Sequence, residues 1–193
     1  AGGASERTTL LTGREATRAA IRAAVEALRN TSPQDTVVFY FAGHGIDQEG
    51  ETYLVPVDAT ARLALDGLSA SAMRQLWSEV PAQRKVFIAD ACHTGGFVGL
   101  RSDGAAADYD ALFRGTGTAN FLAAERDQTA KEDATRGHGV FTDHLLRGLR
   151  GGADLDGDRY VTLSELKLHL QRAVPADPVV RRISGVDIEE EDD

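Results

Sequence analysis

Two continuous apolar runs predict strands that are buried on both faces. Thr36–Phe41 and Lys85–Ala89 are rich in β-branched and aromatic residues, as such strands usually are. Apolar residues recur at helical spacing in four other segments. These predicted helices are residues 14–29, 70–80, 140–149 and 163–173. Buried strands that alternate with helices predict an α/β fold with a largely parallel sheet.

Weaker patterns predict the connections and the remaining strands. Glycines and Pro56 predict a loop over residues 43–60, and a Gly/Ala/Asp-rich composition predicts a flexible loop over residues 101–118. Short apolar runs predict three more strands. They are residues 7–11 at the start, residues 121–124 in the centre of the sheet and residues 179–188 at its edge. Met73 and Trp77 lie on one side of the second helix and are expected in the core.

Composition limits the class of protein. The 193 residues carry a net charge of −9, which disfavours a nucleic-acid partner and suits a cationic substrate. The single cysteine cannot form an internal disulfide, so no oxidising compartment is implied. No apolar run is long enough to span a membrane or to form a signal-peptide core, so no membrane association is expected. The cytoplasm is therefore the expected location.

Candidate chemistry follows the two buried strands. In parallel α/β sheets, sites lie beyond the carboxyl ends of the strands. The segments Ala42–Gly45 and Asp90–Gly96 would therefore meet at one edge and bring together His44 and Cys92. A thiolate is the attacking species, and the leaving amine needs a proton donor. We therefore predict Cys92 as the nucleophile and His44 as its acid–base partner.

The same segments supply supporting groups and alternative interpretations. The N–H groups of Gly45 and Cys92 are predicted to form an oxyanion hole. A lone cysteine is more often a small buried residue, but here both candidates follow strong strands and lie among glycines. A zinc site is a poor alternative, because Cys92 and His93 are adjacent and no second cysteine exists.

Asp90 is the candidate specificity residue. It lies two residues before Cys92, so strand alternation directs both to the same side. A poorly solvated carboxylate there would favour the guanidinium or ammonium group of an Arg or Lys substrate. The alternative is that Asp90 only holds backbone N–H groups of its own loop.

These motifs resemble a known family. Tyr40–Gly45 and Asp90–Gly96 resemble the two catalytic motifs of caspase-like cysteine peptidases, especially metacaspases and bacterial orthocaspases. His44 and Cys92 are 48 residues apart (92 − 44 = 48), close to the roughly 50 of caspases. Leu122–Ala124 and His138–Leu146 resemble the small-subunit region. The resemblance implies an α/β sandwich with a mostly parallel sheet flanked by helices, a Cys/His dyad, peptide-bond hydrolysis and no required cofactor.

The resemblance also implies a domain organisation. We expect one peptidase domain over residues 1–188 and an acidic tail over residues 189–193. Within the domain, residues 7–100 correspond to the large subunit, 101–118 to a linker and 119–188 to the small subunit. Arg101 and Arg114 in or beside the linker make self-processing an expectation. The family's first strand and helix should precede residue 7, so either a further chain or segment supplies them or they were lost.

Departures from the animal caspases bear on specificity. Those enzymes carry Gln-Ala-Cys-Arg-Gly, whereas this chain has Asp90-Ala-Cys92-His93, which argues against cleavage after Asp. Three other functions of the chain stay open. The first is a non-catalytic scaffold of the same fold, which loss of Cys or His would mark, although neither is lost here. The second is a calcium-binding regulatory module, and the third is a related hydrolase or a CHAT-type peptidase of the same clan.

Residues 154–165 match a twelve-residue EF-hand loop, in which calcium is bound by oxygen ligands at fixed positions. The ligands at positions 1, 3, 5, 7, 9 and 12 would be Asp154, Asp156, Asp158, Tyr160 (by its carbonyl), Thr162 and Glu165. Two features count against calcium. Arg159 occupies the position that should be glycine, and Thr162–Glu165 is also a capping box for the next helix.

Overall fold

A five-stranded sheet organises the part of the chain that the computed structural model describes, namely residues 6–48, 51–91, 118–122 and 138–183. The strands are β1 (Thr36–Gln48), β2 (Glu51–Val55), β3 (Leu68–Ser69), β4 (Arg84–Ala91) and β5 (Thr118–Leu122), in the order β3-β2-β1-β4-β5. The pairs β1–β4 and β4–β5 are parallel, and β1–β2 and β2–β3 are antiparallel. The predicted α/β fold is confirmed, with a mixed sheet.

The four predicted helices are all present. The described helices are α1 (Arg18–Ala27), α2 (Leu63–Asp66), α3 (Ala70–Ser78), α4 (Val140–Arg147), α5 (Leu163–Ala176) and α6 (Pro178–Ile183). Side-chain oxygens of Thr17 and Ser69 accept backbone N–H groups at the starts of α1 and α3, which explains where these helices begin. No helix within the described ranges combines the length and apolar character needed to cross a bilayer.

Apolar side chains form one core on each side of the sheet. On one side, Phe39 stacks on Phe87 with ring centroids 4.9 Å apart, and Trp77 meets Phe87 edge-on at 5.8 Å. Met73 and Trp77 of α3 are each only 1% exposed, so their predicted place in the core is confirmed. The second core contains Ile88 of β4, Phe121 of β5 and residues of α4 and α5: Phe141, Leu145, Leu166 and Leu170.

The prediction that the first apolar run is buried on both faces is wrong for β1. Val37 is buried, but Val38 and Tyr40 on the opposite face are 59% and 44% exposed. The second core is built on Ile88 and Phe121, and no described residue of β1 belongs to it, so the apolar faces of α4 and α5 pack over β4 and β5. Aromatic and β-branched composition therefore indicated a strand correctly but overstated its burial.

The predicted loop over residues 43–60 is also wrong in its first part. β1 continues through His44 to Gln48 and forms an antiparallel hairpin with β2, pairing His44 with Val55 and Gln48 with Glu51. Pairing with β2 overrides the tendency of glycine to interrupt strands. The Phe41 ring also covers Gly43, where an added Cβ would lie 2.9 Å from Cζ of that ring.

Both predicted terminal strands need correction, and the central one is confirmed in part. Residues 6–12 form no strand, and residues 178–183 form helix α6 instead of an edge strand. Asp177 starts this helix by accepting the Val179 N–H at 2.9 Å, and Pro178 has the fixed φ suited to its first position. β5 contains 121–122 of the central strand predicted over 121–124. Residues 123–124, 184–188, the 101–117 part of the linker and the acidic tail lie outside the described residues.

β1 has neighbours of different extent on its two edges. On one edge β4 pairs with Thr36–Gly43, and on the other β2 pairs only with His44–Gln48. Within the described ranges, the first half of β1 therefore has a hydrogen-bonded strand on one side only. Such an edge can accept another strand. A further segment that supplies the family's first strand stays a prediction.

Lys85 is a buried cation between two backbone carbonyls, one in the last turn of α3 and one just after that helix. Its Nζ donates to the carbonyl oxygens of Trp77 at 3.3 Å and Val80 at 3.2 Å, and the residue is 5% exposed. Burial lowers the pKa of Lys85 in the folded protein, because desolvation disfavours the charged form. The unfolded chain then binds more protons than the folded protein between the lowered and the ordinary pKa. Stability must rise with pH across that window.

We therefore expect wild type to gain stability relative to Lys85→Met as the pH is raised from about 7 to about 10. Urea unfolding of both proteins at each pH measures the difference in unfolding free energy. Lys167→Met, which removes the same charge from a partly exposed position of α5, is the control. The same pH dependence for both substitutions would contradict the prediction.

Candidate active site

The register between β1 and β4 places side by side the two strands that lead to the candidate dyad. The parallel ladder runs from Thr36 opposite Arg84 to Gly43 opposite Ala91. His44 is the next residue of β1, and Cys92 directly follows Ala91 in the sequence. Cys92 itself lies outside the described residues. The two strands that precede the dyad are thus adjacent and parallel, as expected from the sequence.

His44 and Gly45 lie inside the β1–β2 hairpin. His44 is exposed, and strand alternation places it on the same face as Tyr40 and Ala42. Ala42 pairs with Asp90, so this face of β1 adjoins the Asp90 side chain. Gly45 is buried and pairs with Leu54.

Asp90 is held by a chain of two hydroxyl groups. Oγ1 of Thr142 in α4 donates to Oδ2 of Asp90, and the Tyr40 hydroxyl lies 2.7 Å from the same Oγ1. A threonine hydroxyl has a single proton. Because that proton is directed to Asp90, Tyr40 must donate its own proton to Thr142. The alternative predicted from the sequence, in which Asp90 holds only backbone N–H groups, is therefore incomplete. Among the described residues, the main partner of Asp90 is the Thr142 hydroxyl.

The Asp90 carboxylate lies against the start of α4. Gly139 is the N-cap of this helix, and an added Cβ there would lie 2.9 Å from Asp90 Oδ2. Only glycine permits so close an approach of the backbone. The first turn of a helix carries a partial positive charge, which stabilises a carboxylate. α4 therefore holds Asp90 both through Thr142 and through its own dipole.

The Tyr40 hydroxyl is kept protonated and can therefore donate a hydrogen bond. Burial raises the pKa of its hydroxyl, and the nearby Asp90 charge raises it further, although the hydrogen bond with Thr142 lowers it in part. The hydroxyl thus stays protonated at neutral pH. The direction of the hydrogen-bond chain, from Tyr40 through Thr142 to Asp90, agrees with this state.

Comparison with known families decides the class of the domain. Residues 7–183, which include both strands and the Asp90 site, match the family model of the caspase domain. The chain belongs to this family. Caspase domains are cysteine peptidases, a class of hydrolases, and the predicted resemblance is confirmed at this level. A search of curated proteins found none that matches the chain.

Sequence reasoning missed two residues of this caspase domain. Tyr40 belongs to the first motif, which predicts no role for its side chain, and Thr142 lies in the small-subunit-like segment. The two-residue period from Tyr40 to His44 was a signal that both share a face of β1. No sequence signal indicated that Thr142 would meet Asp90, because 52 residues separate them.

His138 also lies near this region of the caspase domain. It precedes Gly139, the glycine that approaches Asp90, and its Nδ1 is buried without a hydrogen bond to a described residue. It is therefore the histidine to compare with His44 in activity measurements.

The predicted calcium loop places three carboxylates together. One ligand oxygen from each of Asp154, Asp156 and Asp158 lies within 4.8 Å of the others. Asp154 accepts the N–H of Gly157 at 2.8 Å and that of Arg159 at 3.0 Å. Arg159 has φ of 72°, so it adopts the left-handed conformation that the glycine of an EF-hand loop would provide.

The expected capping box is confirmed at the end of this loop. The Thr162 side chain accepts the Glu165 N–H at 3.2 Å, and Glu165 accepts the Thr162 N–H at 2.8 Å. A hydrogen bond from the Thr162 backbone, helped by the Thr162 side chain and the Leu155 N–H, lowers the pKa of Glu165. Both Glu165 oxygens thus already accept protein donors. Tyr160, the expected carbonyl ligand, is 74% exposed.

Proposed function

We propose that this caspase domain is an endopeptidase of the metacaspase or orthocaspase type that cleaves after Arg or Lys. The Cys92 thiolate attacks the scissile carbonyl carbon, and backbone N–H groups of Gly45 and Cys92 stabilise the resulting oxyanion. His44 protonates the leaving amine as the C–N bond breaks. The acyl group stays bound to Cys92 as a thioester. His44 then takes a proton from water, which hydrolyses the thioester and releases the thiol.

The β1–β4 register is the observation that carries this proposal. His44 and Cys92 each follow a residue of the last described pair, Gly43 and Ala91, by one peptide link. Such a link separates Cα atoms by about 3.8 Å, and adjacent strands are about 4.8 Å apart. This register therefore supports the close approach of His44 and Cys92 that a dyad requires.

The position of Asp90 supports a basic substrate residue. Its carboxylate is half-buried at the end of β4, on the face of the sheet that His44 shares. Thr142 occupies Oδ2, whereas Oδ1 has no hydrogen bond to a described residue and can accept one from a guanidinium or ammonium group. The net charge of −9 further favours the approach of a cation.

The test is hydrolysis of fluorogenic peptides that differ only in the residue before the scissile bond. Wild type is expected to cleave Arg and Lys peptides at least about 100-fold faster than Asp or Leu peptides. Cys92→Ala is the matched control for contaminating peptidases. Cleavage confined to the Asp peptide would refute the specificity. Peptide binding without cleavage of any substrate would instead favour the non-catalytic scaffold.

Self-processing is a further prediction of this specificity. Arg101 and Arg114 lie in or beside the predicted linker, and Arg126, Lys131 and Arg136 follow it. All of these residues lie outside the described residues. We expect mass spectrometry of incubated wild type to find fragments that end at Arg or Lys, and Cys92→Ala to stay intact. Identical fragments from both proteins would indicate another protease.

Calcium binding by the loop over residues 154–165 stays a prediction. The three clustered Asp side chains favour it, and the engagement of Glu165 in the capping box opposes it. The prediction expects millimolar calcium to give heat in calorimetry and to raise the melting temperature. Asp154→Ala/Asp156→Ala should show neither effect. If wild type also gives no response, the loop is a structural turn that the capping box explains.

A further inference from the structure

We propose that Thr142 and Tyr40 are positioning residues, which orient the Asp90 carboxylate toward the cationic side chain of the substrate. The inference rests on the proposed preference for Arg or Lys. It assigns the selectivity of the domain to a hydrogen-bond chain rather than to Asp90 alone.

The direction of the hydrogen bonds determines which oxygen of Asp90 remains available to the substrate. Thr142 donates its one hydroxyl proton to Asp90 Oδ2, and Tyr40 donates to Thr142. A hydroxyl that accepts one hydrogen bond donates a stronger one, because each bond polarises the next. Oδ2 is thereby held, and Oδ1 is the oxygen of Asp90 that has no hydrogen bond to a described residue.

The three residues of this hydrogen-bond chain belong to three separate elements of secondary structure. Tyr40 belongs to β1, Asp90 to β4 and Thr142 to α4. Thr142 is itself buried, and its neighbours Phe141 and Leu145 lock α4 into the second core. Gly139 lies close to the same oxygen of Asp90, Oδ2. The carboxylate thus has little freedom to rotate away.

A carboxylate whose rotamer is already fixed binds a cation more tightly, because little side-chain entropy is lost when the substrate binds. Loss of the Thr142 hydroxyl frees Asp90 to rotate, and it leaves the Tyr40 hydroxyl without its acceptor. Such a change should weaken cation recognition about tenfold. Recognition of the rest of the substrate should not change.

A binding assay tests the inference without catalysis. The Cys92→Ala protein is titrated with p-aminobenzamidine, a fluorescent cation that mimics the Arg side chain. Thr142→Val, which is nearly isosteric but lacks the hydroxyl, is expected to weaken binding about tenfold, and Tyr40→Phe about threefold. Thr142→Ser keeps the hydroxyl and should restore binding to within about twofold of the parent. Neutral benzamide should bind all four proteins alike.

The pattern across variants separates positioning from folding. Melting temperatures identify any variant that is destabilised, and Tyr40→Phe changes only one atom of an exposed ring. Equal binding by the parent, Thr142→Val and Tyr40→Phe would overturn the proposal. It would also fall if the parent does not bind the probe, or if Thr142→Ser binds as weakly as Thr142→Val.

Hydrolysis by proteins that retain Cys92 distinguishes this inference from the proposed function. Citrulline has the shape of Arg without its charge, so the ratio of kcat/KM for Arg and citrulline peptides measures cation recognition. If wild type cleaves Arg peptides and Thr142→Val keeps the same ratio, the inference fails and the function stands. If no peptide is cleaved but the probe binds in the expected order, the function fails and the inference stands.

Discussion

Cys92→Ala is expected to abolish peptide hydrolysis, with a loss in kcat/KM of at least about 10⁴-fold on an Arg peptide. No other thiol can replace the proposed nucleophile, because Cys92 is the only cysteine in the chain. His44→Ala removes the proposed proton donor of the leaving amine and should lower kcat/KM about 10³-fold. Steady-state kinetics with a protein-normalised assay measure both losses.

Two other histidines serve as controls for His44. His138 lies beside the Asp90 site, and His169 contacts the His144 carbonyl through Nε2 at 3.2 Å, away from the sheet edge. Substitution of either by Ala should change kcat/KM by less than about tenfold. Wild-type turnover by Cys92→Ala would contradict the mechanism. A large loss for His138→Ala with little for His44→Ala would reassign the acid–base role.

The second large effect is expected for Asp90→Asn, which should lower kcat/KM on Arg peptides about 100-fold. The amide oxygen can still accept the Thr142 hydroxyl, so the substitution removes the charge and leaves the hydrogen-bond chain in place. Citrulline peptides, which carry no charge, should lose much less. The same peptides and kinetics therefore separate loss of a cation partner from general damage.

Asp143→Asn is the matched control for this substitution. Asp143 lies next to Thr142 in α4 and pairs with Arg147 at 2.8 Å. Its substitution removes a charge from the same helix without touching Asp90, and it should leave the preference for Arg over citrulline unchanged. Equal losses on Arg and citrulline peptides for Asp90→Asn would instead show that Asp90 only supports the fold.

The local pattern of apolar residues was sufficient to predict the elements that bury one continuous face. Helices α1, α3, α4 and α5 were predicted because their apolar residues recur with the helical period. The extension of β1 through His44 was not predicted, because it depends on pairing with β2 rather than on the composition of residues 43–48. Helix α6 was missed for the opposite reason. Its local start signal, Asp177 before Pro178, outweighs the β-branched residues that follow.

The candidate site shows the same limit. The segments Ala42–Gly45 and Asp90–Gly96 were predicted to meet at one edge of the sheet, and the described ladder pairs Ala42 with Asp90 and Gly43 with Ala91. Thr142 was not assigned, because a hydrogen bond between α4 and β4 depends on how the helix packs. Sequence patterns report which face of a helix is apolar, but they do not report which strand residue a polar side chain on that helix will meet.

The hydrogen bonds at Asp90 have a consequence for how the protein is made. Tyr40 and Thr142 are 102 residues apart, and Asp90 and Thr142 are 52 apart. Contacts between such distant residues form late, after the entropy of closing long loops has been overcome. A nascent chain that has emerged only past residue 100 carries His44 and Cys92 but lacks α4, whose Thr142 donates to Asp90. The proposed selectivity therefore requires synthesis of the C-terminal segment.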